Sequence, residues 1–274
     1  MSDFLREMAE SSVERAARVA GAFAEQDLQQ ATTPLGLSGF DVIAEIKERS
    51  PAEGALVDAS VDAGPDRMSR ARLYVQGGAA AISVLTEPTR FDGDIAHLEE
   101  VAAAVPDTPV MRKDFLVDRV QVLEARAAGA SGVLLIAALL PDSHLDAMLD
   151  CAFEQDLFVL LESFDEPDLI RCARVLECVR HRDQAVVGKL LVGVNTRDLR
   201  TLEVDPQRLR ALATSLPPGV VCVAESGLHT AADAAEVAGL GYGAALVGTA
   251  LMRAPEPAAL IADMLAAGRK RVEA

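Results

Sequence analysis

The sequence predicts an α/β protein, a (β/α)8 TIM barrel with an N-terminal helical extension. Three observations carry this prediction. From Asp41 onward, eight short apolar runs alternate with Ala/Leu/Glu/Arg-rich stretches of helical pattern. The runs begin roughly 22 to 39 residues apart, the length of a strand and a returning helix. Polar and charged residues gather at the carboxyl ends of the runs, whereas the amino ends are mostly Gly, Ala, Pro or apolar. That asymmetry belongs to a barrel whose site is built at one face. An open doubly wound sheet usually has fewer strands and often carries a Gly-rich dinucleotide loop after its first strand. Here the first strand ends in Glu-x-Lys-x-x-Ser-Pro instead.

Composition sets the bounds. The chain has 274 residues, 50% of them hydrophobic, only 4% aromatic and none Trp. This is enough for one large core, and an Ala/Val/Leu-rich chain suits close packing of helices on a sheet. The net charge of −16 disfavours nucleic-acid binding, which depends on cationic contacts to phosphates. An anionic ligand therefore requires positive charge concentrated locally. The N-terminus is charged and lacks the apolar core of a signal peptide, and no apolar run approaches the roughly 20 residues that cross a bilayer. The expectation is a cytoplasmic protein with no membrane partner. Cys151, Cys172, Cys178 and Cys222 lack metal-ligand spacing. His97, His144, His181 and His229 are scattered and read as surface residues.

Residues 1–40 form the extension. Ser11-x-x-Glu14 fits a capping box, and Val13, Ala16, Ala17, Ala20 and Phe23 recur at helical spacing. A polar connector with Pro34 and Gly36 follows. The helix could cover the barrel's bottom or flank its mouth; the sequence leaves both open. The barrel, residues 41–274, is expected to be the catalytic domain. Its strands are expected at 41–47, 80–86, 109–113, 132–136, 158–162, 190–195, 220–225 and 244–248. The helices between them are expected at 65–76, 95–104, 118–128, 141–154, 166–178, 206–215 and 230–238, with the last at 255–271. Pro141-Asp142 and Thr230 suit first turns. Gly77-Gly78, Gly129 and Gly239/Gly241 fall where helices should stop.

The first strand is the most informative. Side chains alternate along a strand, so Glu45 and Lys47 share one face while Val42, Ala44 and Ile46 share the other. An edge strand with a solvated salt bridge would explain the pair. A barrel mouth explains it together with the other strand ends: Ser50, Ser83/Thr86, Lys113/Asp114, Leu135, Glu162, Asn195/Arg197, Glu225/Ser226/Gly227 and Gly248/Thr249. The small residues on the last two strands let backbone N–H groups approach an anion, and barrels commonly bind phosphate there. Without a metal or redox motif, acid–base catalysis by Lys and Glu is the economical chemistry. Asp114 should point away from Lys113 and serve as a structural partner.

Eight segments in order then resemble one family: VIAEIKERSP (42–51), AISVLTEPTRFDG (81–93), PVMRKDFLVD (109–118), VLLIAALL (133–140), LLESF (160–164), VGVNTRDL (192–199), VAESGL (223–228) and ALVGTALM (245–252). The chain resembles the indole-3-glycerol-phosphate synthase family of tryptophan biosynthesis. The resemblance implies conversion of 1-(o-carboxyphenylamino)-1-deoxyribulose 5-phosphate to indole-3-glycerol phosphate, CO2 and water, with no cofactor and no metal. It implies Lys113 as general acid for ring closure, Lys47 at the substrate carboxylate, Glu162 as base in the dehydration and Glu45 near the departing hydroxyl. Asn195, Arg197 and Glu225 would orient the substrate. Phe91, Phe115 and Leu135 would wall the anthranilate pocket, and Ser50, Ser226, Gly227, Gly248 and Thr249 would cradle the phosphate. The implied partner is a small phosphorylated anionic substrate, with a weak contact to other tryptophan-pathway enzymes.

The chain departs from the family pattern at three places. Thr196 stands in N-T-R-D where N-N-R-D is usual, Thr249 stands where Ser is frequent, and Glu53 brings a negative charge to the S-P loop. Thr196 and Glu53 motivate one rival reading, a paralogous barrel enzyme acting on a related phosphorylated aminoaryl sugar. A phosphoribosylanthranilate isomerase is a weaker form of that idea, because its ring-opening chemistry does not call for Glu45, Lys47 and Lys113 together. A catalytically idle barrel with a binding role is the rival from another class, and the retained charges argue against it.

Overall fold

The computed structural model describes residues 3–23, 28, 31–50, 54–55 and 65–272. Eight strands form a closed, all-parallel barrel: β1 (Asp41–Ile46), β2 (Ala81–Leu85), β3 (Val110–Lys113), β4 (Gly132–Ile136), β5 (Phe158–Ser163), β6 (Leu190–Asn195), β7 (Val221–Glu225) and β8 (Ala244–Val247). Each pairs with its sequence neighbours, and β1 pairs with both β2 and β8 to close the ring. A barrel has no free edge, so its strands are buried on both faces and read as nearly continuous apolar runs. That is why β4, Gly-Val-Leu-Leu-Ile, shows no alternation in its sequence.

The main helices are α1 (Asp3–Arg18), α2 (Arg67–Gln76), α3 (Ile95–Ala104), α4 (Arg119–Ala127), α5 (Asp142–Glu154), α6 (Glu166–Val175), α7 (Val179–Val186), α8 (Arg208–Ala211), α9 (Ala231–Gly239) and α10 (Pro257–Val272). Local chemistry starts several of them. Asp118 and Gln121 form a capping box on α4, and Thr230 and Asp233 form one on α9. The expected helix at 166–178 ends early, with α6 stopping at Val175, and a further helix that was not expected, α7, follows Cys178. The expected helix at 206–215 shrinks to α8 and a 3-10 turn over Ala213–Ser215. A short antiparallel pairing, Arg49–Ser50 with Gly54–Ala55, follows β1.

At the amino-terminal end of β1, Phe40 is fully buried against Gly268 of α10; a Cβ on Gly268 would stand 2.1 Å from the Phe40 ring. Arg269 adds an ion pair to Asp41 at 2.8 Å. The opposite, carboxyl-terminal end of the strands receives α1. This helix starts at Asp3, so Ser11 lies inside it rather than at a cap. Its buried face is Leu5, Met8, Ser12 and Ala16, while Val13 is 58% exposed, so the seat is rotated from the expected stripe. Phe4 packs edge-on against Phe115, just past β3, which places the helix at the mouth. His181 is buried against Asp150 at 3.1 Å and is not the expected surface residue. No helix among the described residues is long and apolar enough to cross a membrane.

Candidate active site

A cavity of about 240 Å³ opens at the carboxyl ends of the strands. Glu45, Lys47, Lys113, Asn195, Arg197, Glu225, Ser226, Gly227, Gly248 and Thr249, all expected at a site, line it, as do Phe91 and Phe115. Glu45 and Lys47 do share a face, and that face is the barrel interior: the two are paired at 2.8 Å. Lys113, at the end of β3, faces Glu162 on β5 at 3.5 Å. Glu162 is fully buried and lies under the cavity, behind Lys113, outside its lining.

Two expectations need correction or restriction. Leu135 does not wall the cavity. Its neighbours Leu134 and Ile136 do, and alternation then turns Leu135 outward, where it is buried outside the barrel lumen. Ser50 closes the short pairing after β1, but its side chain and residue Glu53 lie outside the described residues. Thr196 alternates away from the cavity as expected; it is buried, and its backbone N–H donates to the Glu225 carbonyl at 3.0 Å.

Two glycines make room for the buried carboxyls. A Cβ on Gly193, in mid-β6, would fall 1.9 Å from Glu225 Oε1, and one on Gly248 would fall 2.1 Å from Glu45 Oε2. Gly193 was absent from the expected site. A glycine inside an apolar strand, in V-G-V-N, is the signal that could have found it, since such glycines mark close approaches. His229 at the mouth was also missed, because its contribution depends on a turn. That turn is unusual: Ser226 and Gly227 both adopt positive φ, 66° and 73°. A serine held there is the kind of backbone strain that clusters at functional sites.

The charges are mutually supporting. Burial alone would lower the Lys113 pKa, yet the carboxylates of Glu162 and Glu45 more than offset it and hold the ammonium above the ordinary lysine value. Burial alone would raise Glu45, and Lys47, Lys113 and Arg197 reverse this, keeping it ionised. Glu225 goes the other way: burial and the nearby Glu162 charge push it well above the usual carboxylate range. Among the described residues, neither Glu225 oxygen has a hydrogen-bond partner. The environments thus diverge, Lys113 and Glu225 shifted upward and Glu45 downward, as titratable groups in functional clefts often are.

Fold and site together define a (β/α)8 barrel with lysine–glutamate pairs at a cavity on its carboxyl-terminal face. The family model for indole-3-glycerol phosphate synthase matches residues 6–264. A protein of Parafrankia sp. (strain EAN1pec) named indole-3-glycerol phosphate synthase is 43% identical, over 88% of this chain and 84% of its own. One so named from Nocardioides sp. (strain ATCC BAA-499 / JS614) is 44% identical, over 83% and 80%. The chain belongs to the indole-3-glycerol phosphate synthase family. Among solved structures, the 3-hexulose-6-phosphate synthase of Salmonella typhimurium superposes with a TM-score of 0.61 at 16% identity, covering 84% of this chain and 99% of that one. At that identity the likeness is one of fold.

Proposed function

We propose that the chain is a decarboxylating carbon–carbon lyase that converts 1-(o-carboxyphenylamino)-1-deoxyribulose 5-phosphate to indole-3-glycerol phosphate, CO2 and water. The observation that carries the reading is the convergence of Glu45, Lys47, Lys113 and Glu162 at one barrel mouth in a chain of this family. In this reading the aryl carbon attacks the ketose carbonyl, and the Lys113 ammonium donates the proton that the carbonyl oxygen takes up. Loss of CO2 restores the aromatic ring, with Lys47 and Arg197 facing the carboxylate before it departs. The hydroxyl then breaks from its carbon next to Glu45, taking a proton from the paired Lys47 ammonium to leave as water. Glu162, reaching the cavity through Lys113, accepts the C–H proton lost from the adjacent carbon beside the ring nitrogen as the new double bond forms. Phe91 and Phe115, with ring centroids 6.2 Å apart, hold the aryl ring against the carbonyl, where restricting the conformer lowers the barrier. Backbone N–H groups at Ser226–Gly227 and Gly248–Thr249 receive the phosphate.

The two-part division, residues 1–40 as an extension and 41–274 as the catalytic barrel, belongs to the same proposal, as do the cytoplasmic compartment and the single phosphorylated small-molecule partner. The test is indoleglycerol phosphate formation from the authentic substrate by wild type and Lys113→Ala. Wild type should turn over, and the variant should lose activity by about 10³-fold or more while its circular dichroism is kept. An inactive wild type, or an active Lys113→Ala, refutes the assignment.

A further inference from the structure

The N-terminal helix reaches the catalytic loop through buried polar groups. Ser12 and Arg15, one turn apart on α1, both contact the segment that follows β3. The Arg15 guanidinium forks onto the Asp114 carboxylate, with Nη1 to Oδ2 at 2.7 Å and Nη2 to Oδ1 at 2.8 Å. The Ser12 hydroxyl donates to the Phe115 carbonyl and accepts from Gln121 Nε2 at 2.8 Å. Asp114 also accepts from Thr86 Oγ1 at 2.7 Å, Arg112 Nη2 at 3.2 Å and the Phe115 N–H at 2.8 Å. The Lys113 carbonyl accepts from the Thr86 N–H at 3.0 Å. Residues 113, 114 and 115 are therefore each tied down, and two of the ties come from α1.

The flanking residues are the ones that matter. Lys113 and Phe115 both line the cavity, one as the proposed acid and the other as an aryl wall. Lys113 ends in a loose 3.5 Å contact with Glu162, so its flexible stem is placed mainly from the backbone end. A bidentate Arg–carboxylate pair fixes direction as well as distance. Here Asp114 is fully buried and the Arg15 side chain only 16% exposed, so solvent screens the pair little. Holding α1 on the barrel does not need this arrangement, since Leu5, Met8 and Ala16 already bury an apolar seat.

We infer that Arg15 and Ser12 are positioning residues for the reaction: through Asp114 and Phe115, the N-terminal helix sets where Lys113 and the Phe115 ring stand in the cavity. This rests on the reading of Lys113 as the acid. The bonds to Asp114 are shared by barrel residues and α1, so removing the α1 share loosens the loop without deleting it.

The test is steady-state kinetics on the full chain with Arg15→Ala, Arg15→Lys, Ser12→Ala and, as control, Arg18→Ala, whose side chain on the same helix is 74% exposed. Arg15→Ala should lower kcat about tenfold or more. KM should move less than about threefold, because the glycine-lined anion end lies on β7 and β8, across the barrel from β3. Arg15→Lys, which keeps the charge but not the fork, should fall between Arg15→Ala and wild type. Arg18→Ala should stay within about twofold of wild type. If Arg15→Ala fails to fold, Ser12→Ala carries the test, with a several-fold loss confined to kcat. Folded Arg15→Ala with kcat within about twofold of wild type overturns the inference, as does an equal loss in Arg18→Ala. A wild type that forms no indoleglycerol phosphate sinks the functional reading itself, and this inference with it; an active wild type isolates the inference.

Discussion

Gly248→Ala probes the site through one added carbon. The new Cβ would stand 2.1 Å from Glu45 Oε2 and 2.9 Å from Lys47 Nζ. An ordinary carbon–oxygen contact needs about 3.3 Å, so the Glu45 carboxylate must retreat by about 1 Å. It cannot do so and keep the 2.8 Å pair with Lys47, because the lysine is crowded by the same carbon. Gly248 has φ −116°, so no left-handed strain enters and the damage falls on the two side chains. A misplacement of about 1 Å at reacting groups costs about 10²-fold, or about 2.7 kcal/mol of transition-state stabilisation. Overpacking adds about 1–3 kcal/mol of lost stability, which a folded barrel tolerates. The assay is kcat/KM for indoleglycerol phosphate formation, with circular dichroism and a thermal melt on the same preparation. A Gly248→Ala protein within about threefold of wild type refutes the claim that the glycine exists to admit the Glu45–Lys47 pair.

Two further predictions concern pH. Arg112 and Arg15 overcome the burial cost at Asp114 and hold its pKa down to about 2. A depressed carboxylate stabilises the fold above its unfolded pKa, and that share, about 2 kcal/mol, is lost as pH falls from about 4 to about 2. Asp114→Asn should lack this slope in acid denaturation and be less stable at neutral pH; curves parallel to wild type would contradict it. Glu225 has the opposite sign. Its raised pKa means the native state holds a proton that the unfolded chain releases, so stability falls as pH rises out of the ordinary carboxylate range. Glu225→Gln should remove that fall and melt above wild type at pH 8 while turning over more slowly. A melting temperature below wild type at pH 8 would refute the shift.

The barrel was legible because its strands are short, largely apolar and separated by about one helix each, and β4 and β6 match the expected bounds to the residue. The charged groups were legible because a strand that carries Glu45 and Lys47 among apolar neighbours exposes its own face assignment. Leu135 was misplaced for the converse reason. In Gly-Val-Leu-Leu-Ile every position is apolar, so the sequence offers no parity, and only the register with β5, Ile136 opposite Glu162, supplies it. The seat of α1 was misjudged because its buried face includes Ser12, a polar residue whose partners, Phe115 and Gln121, are a hundred residues away along the chain. The break between α6 and α7 has neither Gly nor Pro to announce it.

The pairing of charges bears on how an acidic chain could hold an anionic substrate. Each lysine at the mouth has a glutamate close by, Lys47 with Glu45 and Lys113 with Glu162. Glu162 helps hold the Lys113 ammonium protonated, and the two pairings leave little net positive charge to attract phosphate. In the proposed reading the two jobs are separated in space. Proton transfer belongs to the Lys–Glu pairs of β1, β3 and β5. The phosphate meets uncharged backbone donors at the ends of β7 and β8, where Ser226 and Gly227 turn through positive φ. Backbone donors do not titrate, so substrate affinity should stay level across a pH range in which kcat changes. A KM that followed kcat step for step through that range would return the phosphate to the lysines.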